Sequence, residues 1–369
     1  MFFNKQIDIT SGSPGSLAWK KFKKNSLGLG SLIFISISVL IACLGYLITP
    51  DSTPFANDQY LELGLKKPGF TVLMLPVKDK QPSKTGNFLE TMISGKTTNF
   101  QFIPIRSFSF KNGQIYFVEF GALPGEAALV QSLPAHLTGM PEKKTFWLGT
   151  DRFGRDYLSQ LMIGTRVSLS VGLISVLISL VIGIFIGAIG GYYRGWIDNL
   201  IMWLINVVWS IPTLLLVIAI TFALGKGFWQ VFIAVGLTMW VEVARVVRGQ
   251  ILSIREKEYV EAARALGFSD FRIIFHHILP NVMAAVIVIS AANFASAILM
   301  EAGLSFLGLG VQPPVPSWGS MIKENYGYIV LDYAYLAVLP GIAIMLMVLA
   351  FMLMGNALRD AQDVRMSEV

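Results

Sequence analysis

The sequence predicts an all-α polytopic membrane protein with six spanning helices and a small β-containing insert between the first two. Of its 369 residues, 54% are hydrophobic and only 14% charged, and the mean hydropathy is +0.62, too apolar for an ordinary soluble domain. Apolar stretches recur at the length a bilayer requires, roughly 20 residues at 1.5 Å rise each. Between the first and second of them the pattern changes to short alternating runs.

The six apolar stretches are 27–48, 167–191, 200–224, 228–247, 282–304 and 335–355. Each reads as a helix because hydrocarbon offers no partner to an unpaired backbone amide. The first is longer than a signal-peptide core and has no small-residue cleavage pattern after it, so it reads as a retained anchor. Lys20, Lys21, Lys23 and Lys24 precede it, and arginines from Arg245 to Arg272 follow the fourth stretch. Basic flanks favour the cytoplasm, and six crossings put both termini there. The net charge of +6 thus sits where anionic headgroups lie, which argues against nucleic acid as a partner.

Residues 49–149 form the expected extracytoplasmic insert. Ser107 to Lys111 alternates, Asn112-Gly113 has the composition of a type I′ turn, and Gln114 to Phe120 alternates again, predicting a hairpin. Thr71 to Val77 is a candidate third strand. Gly95-Lys96-Thr97 is a chance fragment of a phosphate loop, since Glu90 stands where that motif needs glycine. With no other such motif in the chain, ATP hydrolysis by this route is excluded. Cys43 is the one cysteine, which excludes an internal disulfide. Adjacent His276 and His277 point about 100° apart on a helix and do not suit a metal site. No catalytic or metal residue is expected.

The polar stretch between the fourth and fifth spans carries the functional signal. Glu258 to Ala265 is rich in helix formers, Gly267 can close it in the left-handed conformation, and Ser269 or Asp270 can cap a second short helix. In that second helix Phe271, Ile274, Phe275 and Ile278 predict one apolar stripe, after which Pro280 is expected to force a break and start the next span. Glu261, Ala262, Ala263, Gly267, Leu279 and Pro280 follow the spacing of the EAA loop of ABC importer permeases, to which this stretch is similar. His277 takes an aliphatic position of that pattern, and His277 to Asn281 resembles the form of the peptide-transporter branch. Further matches run in order: Leu148 to Asp151, Gly154-Arg155-Asp156, Gly164-Thr165-Arg166, Ser168-Leu169, Gly190 to Tyr193, Asp198, Ser210-Ile211-Pro212, Arg245, Arg248-Gly249, Leu304 to Gly310, Gln312-Pro313-Pro314, Ser317-Trp318-Gly319 and Leu358-Arg359-Asp360. From Phe146 to Asp363, with the basic tail and first span, the chain resembles the permease subunits of dipeptide/oligopeptide ABC importers. Two departures stand out. Trp203 and Asn206 occupy places where the family often has an arginine and an acidic residue, and the outer insert is long.

The resemblance implies a type I ABC importer permease fold. It implies a cytoplasmic basic tail at 1–26, a first transmembrane helix at 27–48, the insert at 49–149, the permease domain at 150–358 with its coupling loop at about 251–280, and a tail at 359–369. It further implies a channel-forming subunit, not an enzyme, in a bacterial inner membrane. The expected partners are two ABC ATPase subunits that bind ATP and Mg, a second homologous permease, an extracytoplasmic substrate-binding protein and membrane lipid. No cofactor is expected on this chain. Peptides are the expected cargo, although the branch includes nickel and other small-solute systems. A secondary transporter or a membrane-embedded enzyme lacks the intramembrane acids or zinc motif it needs.

Outside the loop, Glu242, Arg245 and Arg248 share a helical face, where a local salt bridge with snorkelling is favoured over a gating role. Glu301, near the outer end of the fifth span, either lines the pathway or reaches headgroup water. Gly303, Gly308 and Gly310 favour a bend in a pore wall, ahead of Pro313, Pro314 and Pro316.

Overall fold

The computed structural model describes residues 14–78, 87–96, 99–121, 131–225 and 227–362; parts of the two tails, Thr97 and Asp363 lie outside the described residues. Two compact units are present, one of Met1–Ile37, Ser170–Glu301 and Ile344–Val369, the other of Ser38–Leu169 and Ala302–Ala343.

The described residues open with α1 (Pro14–Lys24) in the basic tail, followed by α2 (Ser26–Ile48), the first span. Helix α1 was not expected. Phe22 anchors it, 2% exposed against Ala357 and Ala361 of the C-terminal helix, while its lysines lie along the polar side and Lys23 Nζ sits 5.2 Å from the Trp19 ring.

The insert is built on β1 (Phe70–Lys78), α3 (Phe88–Ser94), β2 (Phe100–Lys111), β3 (Gln114–Glu119), β4 (Gln131–Pro134) and β5 (Glu142–Phe146). The strands form one antiparallel sheet of order β4-β3-β2-β1-β5. The hairpin forms as expected: Lys111 pairs with Gln114, and Asn112 and Gly113 have φ of 50° and 71°, the two positive values a type I′ turn requires. Alternation on β1 sends Val72 and Met74 to a core with Tyr60, Leu63 and Phe146, and Leu75 to another with Ile105, Ile115 and Phe117. Pro76 is tolerated in this strand because β5 pairs only as far as Met74. Strands β4 and β5 escaped the sequence reading, being short and, in β5, largely charged.

The insert is clasped to the start of the second span. Thr150 Oγ1 accepts the Lys66 N–H at 2.8 Å and donates to the Leu63 carbonyl. Asp151 accepts the Phe153 and Arg155 backbone N–H groups, each at 2.9 Å, and the Arg155 guanidinium, which also reaches Glu324 at 2.9 Å. Gly154 has φ +75°, and a Cβ there would lie 1.8 Å from the Tyr60 carbonyl oxygen. Asp156 then caps the helix, its Oδ1 accepting the Ser159 N–H at 2.8 Å. Burial pushes the Asp156 carboxyl up, against the hydrogen bonds from Ser159.

The remaining helices are α4 (Tyr157–Tyr193), α5 (Gly195–Trp209), α6 (Thr213–Leu224), α7 (Phe228–Ile254), α8 (Glu258–Ala265), α9 (Asp270–Arg272), a π-helical segment Ile273–Ile278, α10 (Leu279–Phe306), α11 (Trp318–Asn325) and α12 (Tyr335–Gln362). Among the described residues five helices are long and apolar enough to cross a bilayer. The third expected span is not one helix. Helices α5 and α6 meet at 90°, because Pro212 offers no N–H and steers Ile211 away from helical geometry; counted as one span, the pair brings the total to six.

Within the first unit α4 packs on α7 through glycines one turn apart. A Cβ at Gly183 would meet Val243 at 2.5 Å, at Gly187 the Ala244 carbonyl oxygen at 2.5 Å, and at Gly191 the Arg248 carbonyl oxygen at 2.9 Å. Such a stripe lets two backbones approach where the hydrophobic effect gives helices no reason to associate. Gly187→Ala is therefore expected to lower the detergent-solubilised protein's melting temperature, by overpacking worth about 1–3 kcal/mol. Gly30→Ala, with nothing within 4 Å of its added carbon, should leave it unchanged or raise it. Equal melting curves for the two variants would remove the glycine stripe from this account.

Candidate functional site

The loop between α7 and α10 folds into the two expected helical arms, an elbow bent at Gly267. Helix α8 closes at Gly267, whose φ is +75°. The Phe268 N–H reaches the Ala263 carbonyl at 3.2 Å, and the Gly267 N–H reaches that of Arg264 at 2.9 Å, the paired bonds of a Schellman stop. Only Val260 and Ala263 of α8 are buried. They join Ile273, Ile274, Ile278 and Val282 in a core with Tyr192 of α4 and Val247, Ile251 and Ile254 of α7. The elbow is thus keeled into the helix ends rather than hanging free.

Two expectations about the second arm are corrected. Pro280 makes no break. The chain runs from Asp270 to Phe306 as one candidate span, because the segment ahead of the proline widens into π geometry, the Leu279 N–H bonding the Ile274 carbonyl five residues back. The wider turn spares the proline ring a clash with the carbonyl four residues earlier. Nor do Phe271 and Phe275 face inward. They are 68% and 43% exposed and pack on each other at 4.4 Å, while Ile273 and Ile274 take the buried side.

Of the loop residues singled out, Glu261 and Ala262 are exposed and Ala263 is buried, so one tripeptide serves a surface and a core. Gly267 is exposed at the bend. The His277 ring stacks on Phe268 at 5.8 Å and 10°, and the Arg272 guanidinium lies 4.3 Å from the centre of the same Phe268 ring. Leu279 packs against the elbow's core. Asn281 Nδ2 donates to the His277 carbonyl at 2.8 Å, and Tyr192 donates its hydroxyl to Asp270 at 2.6 Å. At the base of the elbow Arg194 pairs with Glu256, and the guanidinium holds that carboxyl below the usual range. On the same arm Leu266 is 73% exposed and Tyr259 41%, beside exposed Glu258 and Arg264. Leu266, Phe271 and Phe275 are the surface residues that sequence reasoning missed. The buried set Ile273, Ile274 and Ile278 follows the wider π spacing, which a constant helical period does not reveal.

The charged face of α7 also differs from expectation. Arg248 pairs in a two-pronged contact with Asp198 of α5, Nε to Oδ1 at 2.5 Å and Nη2 to Oδ2 at 2.6 Å. Arg245 stacks on Trp209 at 3.6 Å. Glu242, exposed, has no ion pair among the described residues, so the local bridge within α7 does not form. Neither Trp203 nor Asn206 carries charge, and Asp198 with Arg248 supplies the ion pair between α5 and α7.

At the other end of α10, Glu301 is fully buried, so it does not reach headgroup water. Gly308, with φ +81°, closes α10 by a second Schellman stop: the Leu309 N–H bonds the Leu304 carbonyl at 2.8 Å and the Gly308 N–H that of Ser305 at 3.0 Å. A Cβ at Gly310 would lie 2.5 Å from the Ser305 Cα, whereas nothing lies within 4 Å at Gly303. Beyond the stop, a cavity of about 660 Å³ is lined by Arg152, Gln312, Lys323, Glu324, Tyr326 and Tyr328 among others.

The bend at Gly267 makes the elbow testable. Valine there is strained by roughly 1–2 kcal/mol in the left-handed region. Gly267→Val is expected to speed tryptic cleavage after Arg264 and Arg272 in the purified protein by about tenfold, the factor equivalent to roughly 1.4 kcal/mol of local opening, with Gly267→Asn intermediate. Unchanged cleavage in both variants would show that the left-handed bend does not hold the elbow.

The family model described as binding-protein-dependent transport system inner membrane component matches residues 167–368, and the one described as the N-terminal TM domain of oligopeptide transport permease C matches residues 13–68. All five strands of the insert fall between the two matches. The chain is 42% identical over 217 residues to the glutathione transport system permease protein GsiD of Pectobacterium atrosepticum, a span of 59% of this chain and 72% of the relative. It is 43% identical over 220 residues to the dipeptide transport system permease protein DppC of Alkalihalophilus pseudofirmus, 60% of this chain and 72% of the relative. A solved inward-facing structure of the MetNI methionine ABC transporter superposes with a TM-score of 0.46 at 18% identity, over 55% of this chain and 97% of that one. Because the first family model spans more than half of the chain, the protein belongs to the family of binding-protein-dependent transport inner-membrane components, as a membrane-spanning permease subunit of an ABC importer whose ATPase is a separate subunit.

Proposed function

We propose that this chain forms one half of the pathway through which an importer moves dipeptides or oligopeptides into a bacterial cell, with its elbow seated in an ATPase subunit. The observation that carries the reading is the exposed apolar patch on the elbow. Leu266, Phe271 and Phe275 are exposed on the same elbow as exposed Glu261 and Ala262, a unit whose underside is fixed by Val260, Ala263, Ile273 and Ile274. A rigidly mounted patch of this kind, beside the exposed polar residues of the loop, fits a protein partner.

Mechanism follows from that mounting. ATP, with Mg, binds between two ATPase subunits and draws them together, and each carries the elbow it holds. Helices α7 and α10 meet the elbow's core directly, so displacement of the elbow is passed to both, and the bundle opens outward by alternating access. A second, homologous permease chain completes the pathway, and an extracytoplasmic binding protein delivers cargo. Peptide cargo is supported by relatives named for glutathione and dipeptide transport. Glu301 with Gly303, Gly308 and Gly310 marks the gate in this reading: a carboxylate buried in the present conformation becomes accessible when the end of α10 moves. Both termini are cytoplasmic. In support, α1 packs on the end of α12, which puts the two ends of the described chain on one side, and Lys20, Lys21, Lys23 and Lys24 mark it as the basic side.

Affinity purification from mild detergent tests the elbow. The wild-type chain is expected to bring down ATPase subunits, and Glu261→Arg, Gly267→Asp and Phe271→Asp are expected to lose them while remaining inserted in the membrane. An absence of ATPase with the wild type, even after crosslinking, would overturn the coupling assignment.

A further inference from the structure

Helix α3, between β1 and β2 of the insert, has no core of its own. None of its seven residues is buried; Phe88, Leu89 and Ile93 are 68%, 64% and 59% exposed. At 100° per residue, Phe88, Met92, Leu89 and Ile93 fall within an arc of about 140°, and Glu90, Ser94 and Thr91 occupy the other side. So short a helix is not stable by itself in water. Its apolar side requires a cover.

The position of the helix says what that cover is. Its C-terminal end is tied to the two spans that bound the insert. Arg166 of α4 donates from Nη1 to the carbonyls of Met92 and Ile93 at 3.1 and 3.0 Å. The Lys96 N–H bonds the Ser52 carbonyl at 2.7 Å, four residues beyond the last residue of α2. Gly95, with φ +84°, lets the chain pass there, where a Cβ would lie 2.9 Å from that same carbonyl oxygen. The Arg166 guanidinium also lies 5.5 Å from the ring of Tyr46 near the end of α2. Tyrosine and arginine at the ends of apolar spans mark the headgroup level. Helix α3 is held at that level, with exposed Lys96 available to lipid phosphate.

We propose that α3 is an interfacial anchor: it lies on the bilayer surface where α2 leaves the membrane and α4 enters it, with Phe88, Leu89 and Ile93 inserted at the boundary of headgroups and acyl chains. The anchor ties the β1–β2 connection, and through it the five-stranded sheet, to the membrane. Lipid is the occupant because Arg166 and Ser52 tie the helix to the points where α4 and α2 meet the headgroup level.

Spin labels test this in the full-length chain with Cys43→Ser, reconstituted into nanodiscs of phosphatidylcholine and phosphatidylglycerol. Phe88→Cys, Leu89→Cys, Ile93→Cys and Glu90→Cys are labelled singly, with Leu40→Cys on exposed α2 as the lipid reference. Expected is relaxation by oxygen and little by a water-soluble nickel chelate at 88, 89 and 93, as at 40, with nickel relaxation restored at 90. Strong nickel relaxation at 88, 89 and 93 would put the helix in water and overturn the proposal. Shielding of those sites from both reagents would mean that protein covers them, which overturns it equally.

Discussion

Hydrocarbon leaves no backbone amide without an internal partner, and it gives two apolar helices no hydrophobic reason to meet. Close packing has to supply association instead, and here it is supplied by what is missing from three side chains. Gly183, Gly187 and Gly191 bring α4 against α7 so nearly that an added carbon would touch backbone or a β-branched side chain. The same approach carries Tyr192 into the core beneath the elbow, where its hydroxyl holds Asp270. The mounting of the elbow thus depends on a helix contact about two turns long.

The elbow shows how one short sequence can serve a core and an exposed surface at once. Glu261 and Ala262 face outward and Ala263 inward, as neighbours on a helix must. Alanine at 262 and glycine at 267 keep the outer surface low, so that Leu266 and Phe271 stand out from it. Replacing a small inward residue here would lift the elbow off its keel, whereas replacing an outward one, Gly267 at its left-handed bend excepted, would change only the exposed surface.

The insert follows a different logic. It is water-facing β-structure with alternating strands and two small cores, and its connection to the spans is polar. The clasp of Thr150, Asp151 and Arg155 is largely buried, and Asp151 answers the guanidinium while accepting two backbone donors. A pair buried in this way is costly to break from one side only. It fixes where the sheet meets the start of α4, while Arg166 fixes where α3 does.

Spans, the I′ hairpin at Asn112 and Gly113, the helix stop at Gly267 and the family resemblance were all legible in the sequence, because each is dictated locally: by an apolar length, by a pair of residues that accept positive φ, or by spacing. The inward side of α9 and the π segment was not legible, since one wide turn shifts a helical register that periodicity counts as constant. The 90° bend between α5 and α6 had its proline in view, but an apolar count cannot tell a bent span from a straight one. Partners of the charged residues were hidden for a further reason. Glu242, Arg245 and Arg248 lie one turn apart, yet Asp198, fifty residues earlier, takes Arg248, and Trp209 takes Arg245. Local chemistry by itself determined which segments are helices, strands and stops; which side chains meet was decided only when α4, α5 and α7 packed, because contact between distant residues depends on helix orientation.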